Sequence, residues 1–274
     1  MRLVSYRAAS APAAVGVLQD HTVVPIAGDA DMLSVISSGQ LPLLDESKAL
    51  PLTSIKLLAP IARPNKLICV GLNYRDHAEE SKMEIPKVPT IFNKFSTAII
   101  GPGDPIVLPK NSTKPDYEAE FAFVIGKGGR HISGPAWRDH VFGYMCLNDV
   151  SARDFQMATT QWLMGKTFDT FAPCGPAIVT ADEVPDPHSL DISLEINGEV
   201  LQNSNTKHLI FNIPALIEYV SSVCTLEPGD IVSTGTPAGV GFARKPPRYL
   251  KAGDEVVVKI DGVGELRNPV VAEA

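Results

Sequence analysis

Apolar residues along this chain fall in short runs, alternating or continuous, broken by glycine, proline and polar pairs. That spacing predicts strands more often than helices. Near the start, LVSY, AAVGVL and TVVPI read as strands, and DMLSVISSG as a short helix with Asp31 as N-cap and Gly39 at its C-terminus. Pro51, Pro60 and Pro64 then punctuate the chain. From Lys66 onward the strand signals are KLICVGL, TIFNKF, IVL, YEAEFAFVIG, FGYMCLNDV, AIVT, ISLEING, DIVSTG and EVVVKIDGVGEL. Asn197-Gly198, Asp261-Gly262 and the run Gly126-Lys127-Gly128-Gly129 read as hairpin turns. Two helices stand out. One follows Asn212, with Pro214 in its first turn and Ile213, Leu216, Ile217, Val220 and Val223 at helical spacing. The other is SARDFQMATTQWLMG, after Asp149.

Strands outnumber helices and do not alternate with them, which predicts an α+β, β-rich fold rather than a doubly wound sheet. Residues 1–58 read as a small N-terminal domain and 59–274 as the main one. The 45% hydrophobic and 20% charged composition is that of a soluble globular protein. No apolar run reaches membrane-spanning length, and the start reads as a strand rather than a signal peptide. A net charge of −7, without a basic stripe, argues against nucleic acid as a partner. Cys69, Cys146, Cys174 and Cys224 form no Cys-x-x-Cys pair and read as buried thiols in a reducing cytoplasm.

The chemistry concentrates in acids. In DYEAEFAFVIG, strand alternation puts Glu118 and Glu120 on one face, which continues as Ala122 and Val124. Two carboxylates that close repel unless a cation or proton lies between them. Asp149 ends the apolar run FGYMCLN, where an unpaired acid is costly to bury. Three carboxylates would suit Mg²⁺, with Mn²⁺ or Ca²⁺ as alternatives. The pattern alone equally allows a solvated strand end and a helix-cap aspartate. TGTPAGVG, Thr234 to Gly241, lacks the ending of a P-loop; it is either a tight turn or a loop offering N–H groups to a carboxylate.

Five segments, VGLNYRDHAEE (70–80), DYEAE (116–120), NDVSARDFQ (148–156), GKTFDT (165–170) and TGTP (234–237), together resemble the fumarylacetoacetate hydrolase family, over Arg63 to Val271. The resemblance is to its short members. It implies a mixed β-sandwich roll behind a small N-terminal domain, commonly a homodimer. It implies metal ligands Glu118, Glu120 and Asp149, a catalytic pair His77 and Glu80 with Lys166, and Arg153, Gln156, Thr170 and Thr236 around the substrate. The larger namesake enzymes carry a further aspartate ligand where this chain has Val70, a departure that weakens the case for fumarylacetoacetate itself as the substrate.

The activity this implies is Mg²⁺-dependent cleavage of a C–C bond in a small 2,4-dioxo acid. A 2-oxo acid chelates the ion, which stabilises an enolate as Lewis acid, while His77, oriented by Glu80, activates a water. The runner-up is oxaloacetate decarboxylation or keto–enol tautomerisation on the same metal. Ureidoglycolate cleavage and a non-catalytic metal-binding module rank below. On residues alone, His77 also reads as a surface histidine, Lys166 as a snorkelling lysine, Arg153 as the partner of Asp154 or Asp149, and Gln156 as an ordinary helix residue. The charge-dense stretch Tyr74 to Pro89 reads as a lid that a ligand orders.

Overall fold

The computed structural model describes residues 1–40 and 42–274. Among these residues, twelve strands form one mixed sheet, five form a second and two a short third. In the large sheet the Ala119–Ile125 strand is central. It pairs antiparallel with Val141–Asn148 on one side and Ile231–Ser233 on the other. Ile231–Ser233 continues parallel to Leu67–Gly71, which pairs with the edge strand Thr90–Asn93. The leading strands Arg2–Ala8, Ala14–Gln19 and Thr22–Pro25 join the same sheet, because Arg2–Ala8 hydrogen-bonds to Ala172–Thr180. The second sheet runs Glu199–Asn205, Asp191–Ile196, Glu255–Ile260, Gly264–Ala272 and Ile106–Leu108. The result is the mixed, β-rich architecture that the strand pattern predicts, without a closed barrel.

Alternation along the central strand explains how the layers stack. Ala119, Phe121, Phe123 and Ile125 face the five-stranded sheet and the helix Ile213–Val223, in a core that includes Ile192, Leu194, Val256 and Val258. Ala122 and Val124 face the opposite core, with Leu3, Val17 and Ile36 from the leading segment. A strand covered on both faces reads as a continuous apolar run; Glu120 interrupts it.

The caps behave as expected. Asp31 accepts from the Ser34 N–H at 2.8 Å, and Gly39 takes φ 63° after the Met32–Ser38 helix. Asn212 caps Ile213–Val223 by accepting from the Ala215 N–H. Asn197 and Gly198 have φ of 53° and 83°, as a type I′ hairpin requires.

Two expectations fail. Residues 151–165 do not form one helix. Ser151–Ala152 bridges to Pro115–Asp116, and only the short turns Arg153–Gln156 and Leu163–Lys166 are helical. Between them the Thr159 hydroxyl bonds to the Gln161 backbone, competing with helical hydrogen bonds. The two turns then fold on one another so closely that a Cβ on Gly165 would lie 2.3 Å from the Gln156 nitrogen. Nor is Gly126–Gly129 a tight hairpin. It opens a longer connection through Gly134–Asp139, and Gly129 exchanges backbone hydrogen bonds with Leu226.

Phe121, fully buried and stacked on Tyr144 at 5.2 Å, ties the central strand to its neighbour. Phe121→Ala is expected to lower unfolding free energy by about 3–5 kcal/mol. Urea denaturation followed by near-UV circular dichroism checks it; a loss below about 1 kcal/mol would show that the strand is not the centre of the core.

Candidate active site

The central strand, its neighbour and the loop after Ile231–Ser233 bring three acids together. One oxygen from each of Glu118, Glu120 and Asp149 lies within 4.8 Å of the others, and all three residues are buried. Register explains this. Ala119 pairs with Asn148, so Glu118 and Asp149 flank one end of the ladder, and the Asn148 side chain accepts the Glu118 N–H at 3.1 Å. Opposed ligands of an octahedral Mg²⁺ lie about 4.2 Å apart and those of Ca²⁺ about 5 Å apart. A buried set of hard oxygen donors at this spacing fits such an ion.

Each acid has its outer oxygen engaged. Asp149 Oδ1 takes the Lys94 ammonium at 2.5 Å, and Lys94 also donates to the Val150 carbonyl at 2.9 Å. Glu118 Oε1 lies 2.6 Å from Arg153 Nη2, a close ion pair without hydrogen-bond alignment. Glu120 Oε2 accepts from the Ser233 hydroxyl and from the Gly235 N–H at 3.0 Å. Lys166 Nζ bridges the two remaining oxygens of Glu118 and Asp149, at 2.7 Å from each.

These contacts set the electrostatics. Burial favours the neutral form of Glu118, but Lys166 and Arg153 outweigh it and hold the carboxyl below the usual range. Glu120 moves the other way: burial, then the charges of Asp149 and Glu118, push it well up. Burial lowers Lys94 despite Asp149 beside it, whereas in Lys166 the pull of Asp149 and Glu118 exceeds the cost of burial.

A cavity of ≈ 220 Å³ opens beside the acids, and His77, Glu118, Glu120, Arg153, Gln156, Lys166 and Thr236 all line it. Its apolar walls include Phe92, Trp162, Met157 and Phe242. His77 sits on the short helix Arg75–Ser81, with Nδ1 3.3 Å from Glu80 Oε2. That segment is held firmly. Asp76 accepts from Ser204, Asn73 bonds to Thr234 and Phe211, and Tyr74 is buried, while Met83, Ile85 and Val88 beyond it are exposed.

The loop after Thr234 does present N–H groups to carboxylates, and those carboxylates belong to the protein. Gly235 donates to Glu120, Gly239 to Glu80 at 3.0 and 3.1 Å, and Gly241 and Phe242 to Asp116 at 2.8 and 3.0 Å. Asp116 in turn takes Arg153 Nε at 2.8 Å, while Arg153 Nη1 donates to Gln156. Arg153 thus pairs with Asp116 and Glu118, not with Asp154 or Asp149. Thr236 accepts from Gln202 at 2.9 Å. Thr170 lies outside the cavity, its hydroxyl accepting the Val107 N–H.

Sequence reasoning missed Lys94, Asp116 as the anchor of Arg153, and Ser233. Only Asp116 had a visible signal, as the acid opening DYEAE. Lys94 ends an ordinary strand signal, and Ser233 is one of many serines.

Residues 66–271 match the sequence profile "Fumarylacetoacetate (FAA) hydrolase C-terminal". The mitochondrial oxaloacetate tautomerase of Xenopus laevis is 51% identical over 240 residues, 87% of this chain and 75% of that protein. The solved fumarylacetoacetate hydrolase of Exiguobacterium antarcticum superposes with a TM-score of 0.90 at 38% identity, covering 100% of both chains. Maleylpyruvate hydrolase from Sphingobium sp. SYK-6, solved with manganese(II) and pyruvate, gives 0.82 at 33% identity, again over 100% of both.

Burial and the neighbouring carboxylates make Glu120 easier to protonate than an ordinary carboxyl, so a divalent ion at the three acids would compete with a proton there. Mg²⁺ affinity should therefore rise with pH until Glu120 ionises, with proton release on binding. Calorimetric titrations between about pH 6 and about pH 8, in buffers of different protonation enthalpy, check this. A pH-independent affinity without proton release would refute it.

Proposed function

The chain belongs to the fumarylacetoacetate hydrolase family, and from that premise we propose that it interconverts the keto and enol forms of oxaloacetate with Mg²⁺ on Glu118, Glu120 and Asp149. The observation that carries this reading is the 51% identity, over 87% of the chain, to an oxaloacetate tautomerase. The cavity supports it: ≈ 220 Å³ lies below the usual size of ligand pockets and suits a four-carbon acid better than a long-tailed one.

The bound ion supplies Lewis-acid polarisation of the 2-oxo oxygen. The chain's own residues do the rest. Tautomerisation breaks a C–H bond at C3, turns its electrons into the C2–C3 double bond and adds a proton at the keto oxygen. His77 has Nδ1 committed to Glu80, which leaves Nε2 as the base for the C3 proton. Glu80 is itself fixed by the Gly239 N–H, so the imidazole is oriented through a backbone contact. Lys166 offers positive charge to the substrate's carboxylates, while Arg153 and Gln156, locked together, shape the wall. Thr236 lines the same wall, while Thr170 lies outside the cavity and accepts the Val107 N–H.

A second reading keeps cleavage of an acylpyruvate, the leading expectation from sequence. The Sphingobium hydrolase with manganese and pyruvate favours it, and the same histidine would then serve a water. Oxaloacetate decarboxylation would use the same acids. A homodimer is the proposed assembly. For compartment, the Xenopus relative is mitochondrial by name, and free thiols suit any reducing compartment; a cytoplasmic one is proposed here. Among the described residues, no helix is long and apolar enough to cross a membrane.

The test follows oxaloacetate enol absorbance and acetylpyruvate loss side by side with Mg²⁺. The wild type should act far faster on oxaloacetate. His77→Ala should slow tautomerisation by about a hundred- to ten-thousand-fold, and Glu118→Gln should stop it. If acetylpyruvate is the better substrate, the hydrolase reading replaces this one.

A further inference from the structure

The three acids do not face their surroundings alike. Lys94 holds the outer oxygen of Asp149, Arg153 that of Glu118, and Ser233 with Gly235 that of Glu120. The two cations among these partners are anchored elsewhere as well: Lys94 by the Val150 carbonyl, Arg153 by Asp116 and Gln156. One inner oxygen per acid remains, namely Glu118 Oε2, Asp149 Oδ2 and Glu120 Oε1. Lys166 Nζ spans the first two. It has no other hydrogen-bond partner among the described residues, whereas Lys94 and Arg153 each hold a further partner.

We infer that Lys166 is an exchangeable counter-ion, whose ammonium and the divalent ion take turns on the inner oxygens of Glu118 and Asp149. This rests on the metal reading above and goes beyond it. A divalent ion bound to those two oxygens would lie close to the ammonium that now bridges them at 2.7 Å, and like charges so near one another repel strongly in a buried site. The displaced ammonium has a place to go. It already lies 4.9 Å from the centre of the Phe92 ring, an aromatic face that lines the cavity. There it would meet the carboxylate of an incoming acid. Metal uptake thereby builds the anion site, and by linkage the anion must tighten the metal by the same factor.

The measurement is calorimetric titration of wild type and Lys166→Met with Mg²⁺ alone, then with oxalate at saturating Mg²⁺. The expected changes have opposite signs. In Lys166→Met, Mg²⁺ binds at least about tenfold more tightly, because a competing charge is gone; oxalate binds at least about tenfold more weakly, because its counter-charge is gone. A lysine that merely props up the site would weaken both. Loss of both affinities, or unchanged Mg²⁺ affinity in a folded variant, overturns the inference. If the variant fails to fold, wild-type crystals soaked in Mn²⁺ decide. Lys166 Nζ should leave both acids when the ion is bound, and a retained bridge beside the ion overturns the inference. A wild type that takes up neither Mg²⁺ nor Mn²⁺ would instead remove the metal reading itself.

Discussion

Charge balance inside a sealed space is the constraint from which the rest follows. Four carboxylates, Asp116, Glu118, Glu120 and Asp149, are buried with three cations, Lys94, Arg153 and Lys166. Leaving one of them unpaired would cost on the order of 3–5 kcal/mol. The fold answers by surrounding the cluster with strands that supply registered partners. Glu118 and Glu120 sit at the entry of the central strand, Asp149 directly follows its neighbour, the sheet's edge strand leads into Lys94, and the loop after Ile231–Ser233 contributes backbone N–H groups. Such groups cost no side-chain entropy to place, which suits them to fix carboxylates that must not move.

That loop is where the separate parts of the site become one. Glu120 belongs to the cluster of three acids, Glu80 to the histidine pair, and Asp116 to the anchoring of Arg153; all three are held by N–H groups between Gly235 and Phe242. Gly235 and Gly239 have φ of 96° and 103°, a conformation that other residues rarely adopt. Their glycine identity follows from this backbone shape and from tight approach, since a Cβ on Gly239 would lie 2.2 Å from the Leu201 carbonyl. A change in this loop would disturb the acid cluster, the histidine pair and the cavity wall together.

Much of this was legible in the residues. The alternation of Glu118 and Glu120 against an apolar strand, and an acid closing FGYMCLN, both point to a buried carboxylate set, and the structure brings those three together. Strand order was not legible, because pairing of Leu67–Gly71 with Ile231–Ser233 depends on contacts far apart in sequence. Lys94 was invisible for the same reason: only the fold sets it against Asp149. Residues 151–165 misled because their apolar spacing is helical, while the close approach of Gly165 to Gln156 requires two turns. Thr170 shows the limit of resemblance, since its hydroxyl serves the backbone of Val107 instead of the cavity.

The opposite displacements of Glu118 and Glu120 explain how such a cluster tolerates both an empty and a filled state. Burial and its acidic neighbours push Glu120 up, and a proton there would set three carboxylates against three cations. Exchanging that one proton for a divalent ion leaves a single positive charge in a cavity with apolar walls. Burying that charge alone is unfavourable. The 1-carboxylate of a 2-oxo acid would cancel it, and the second carboxylate of oxaloacetate would leave one negative charge over. The site would therefore be neutral with neither ligand, and with both where the acid brings a single carboxylate into it. Either ligand alone leaves a buried charge uncompensated, so the same electrostatics that keep the resting protein folded also favour taking up ion and acid together.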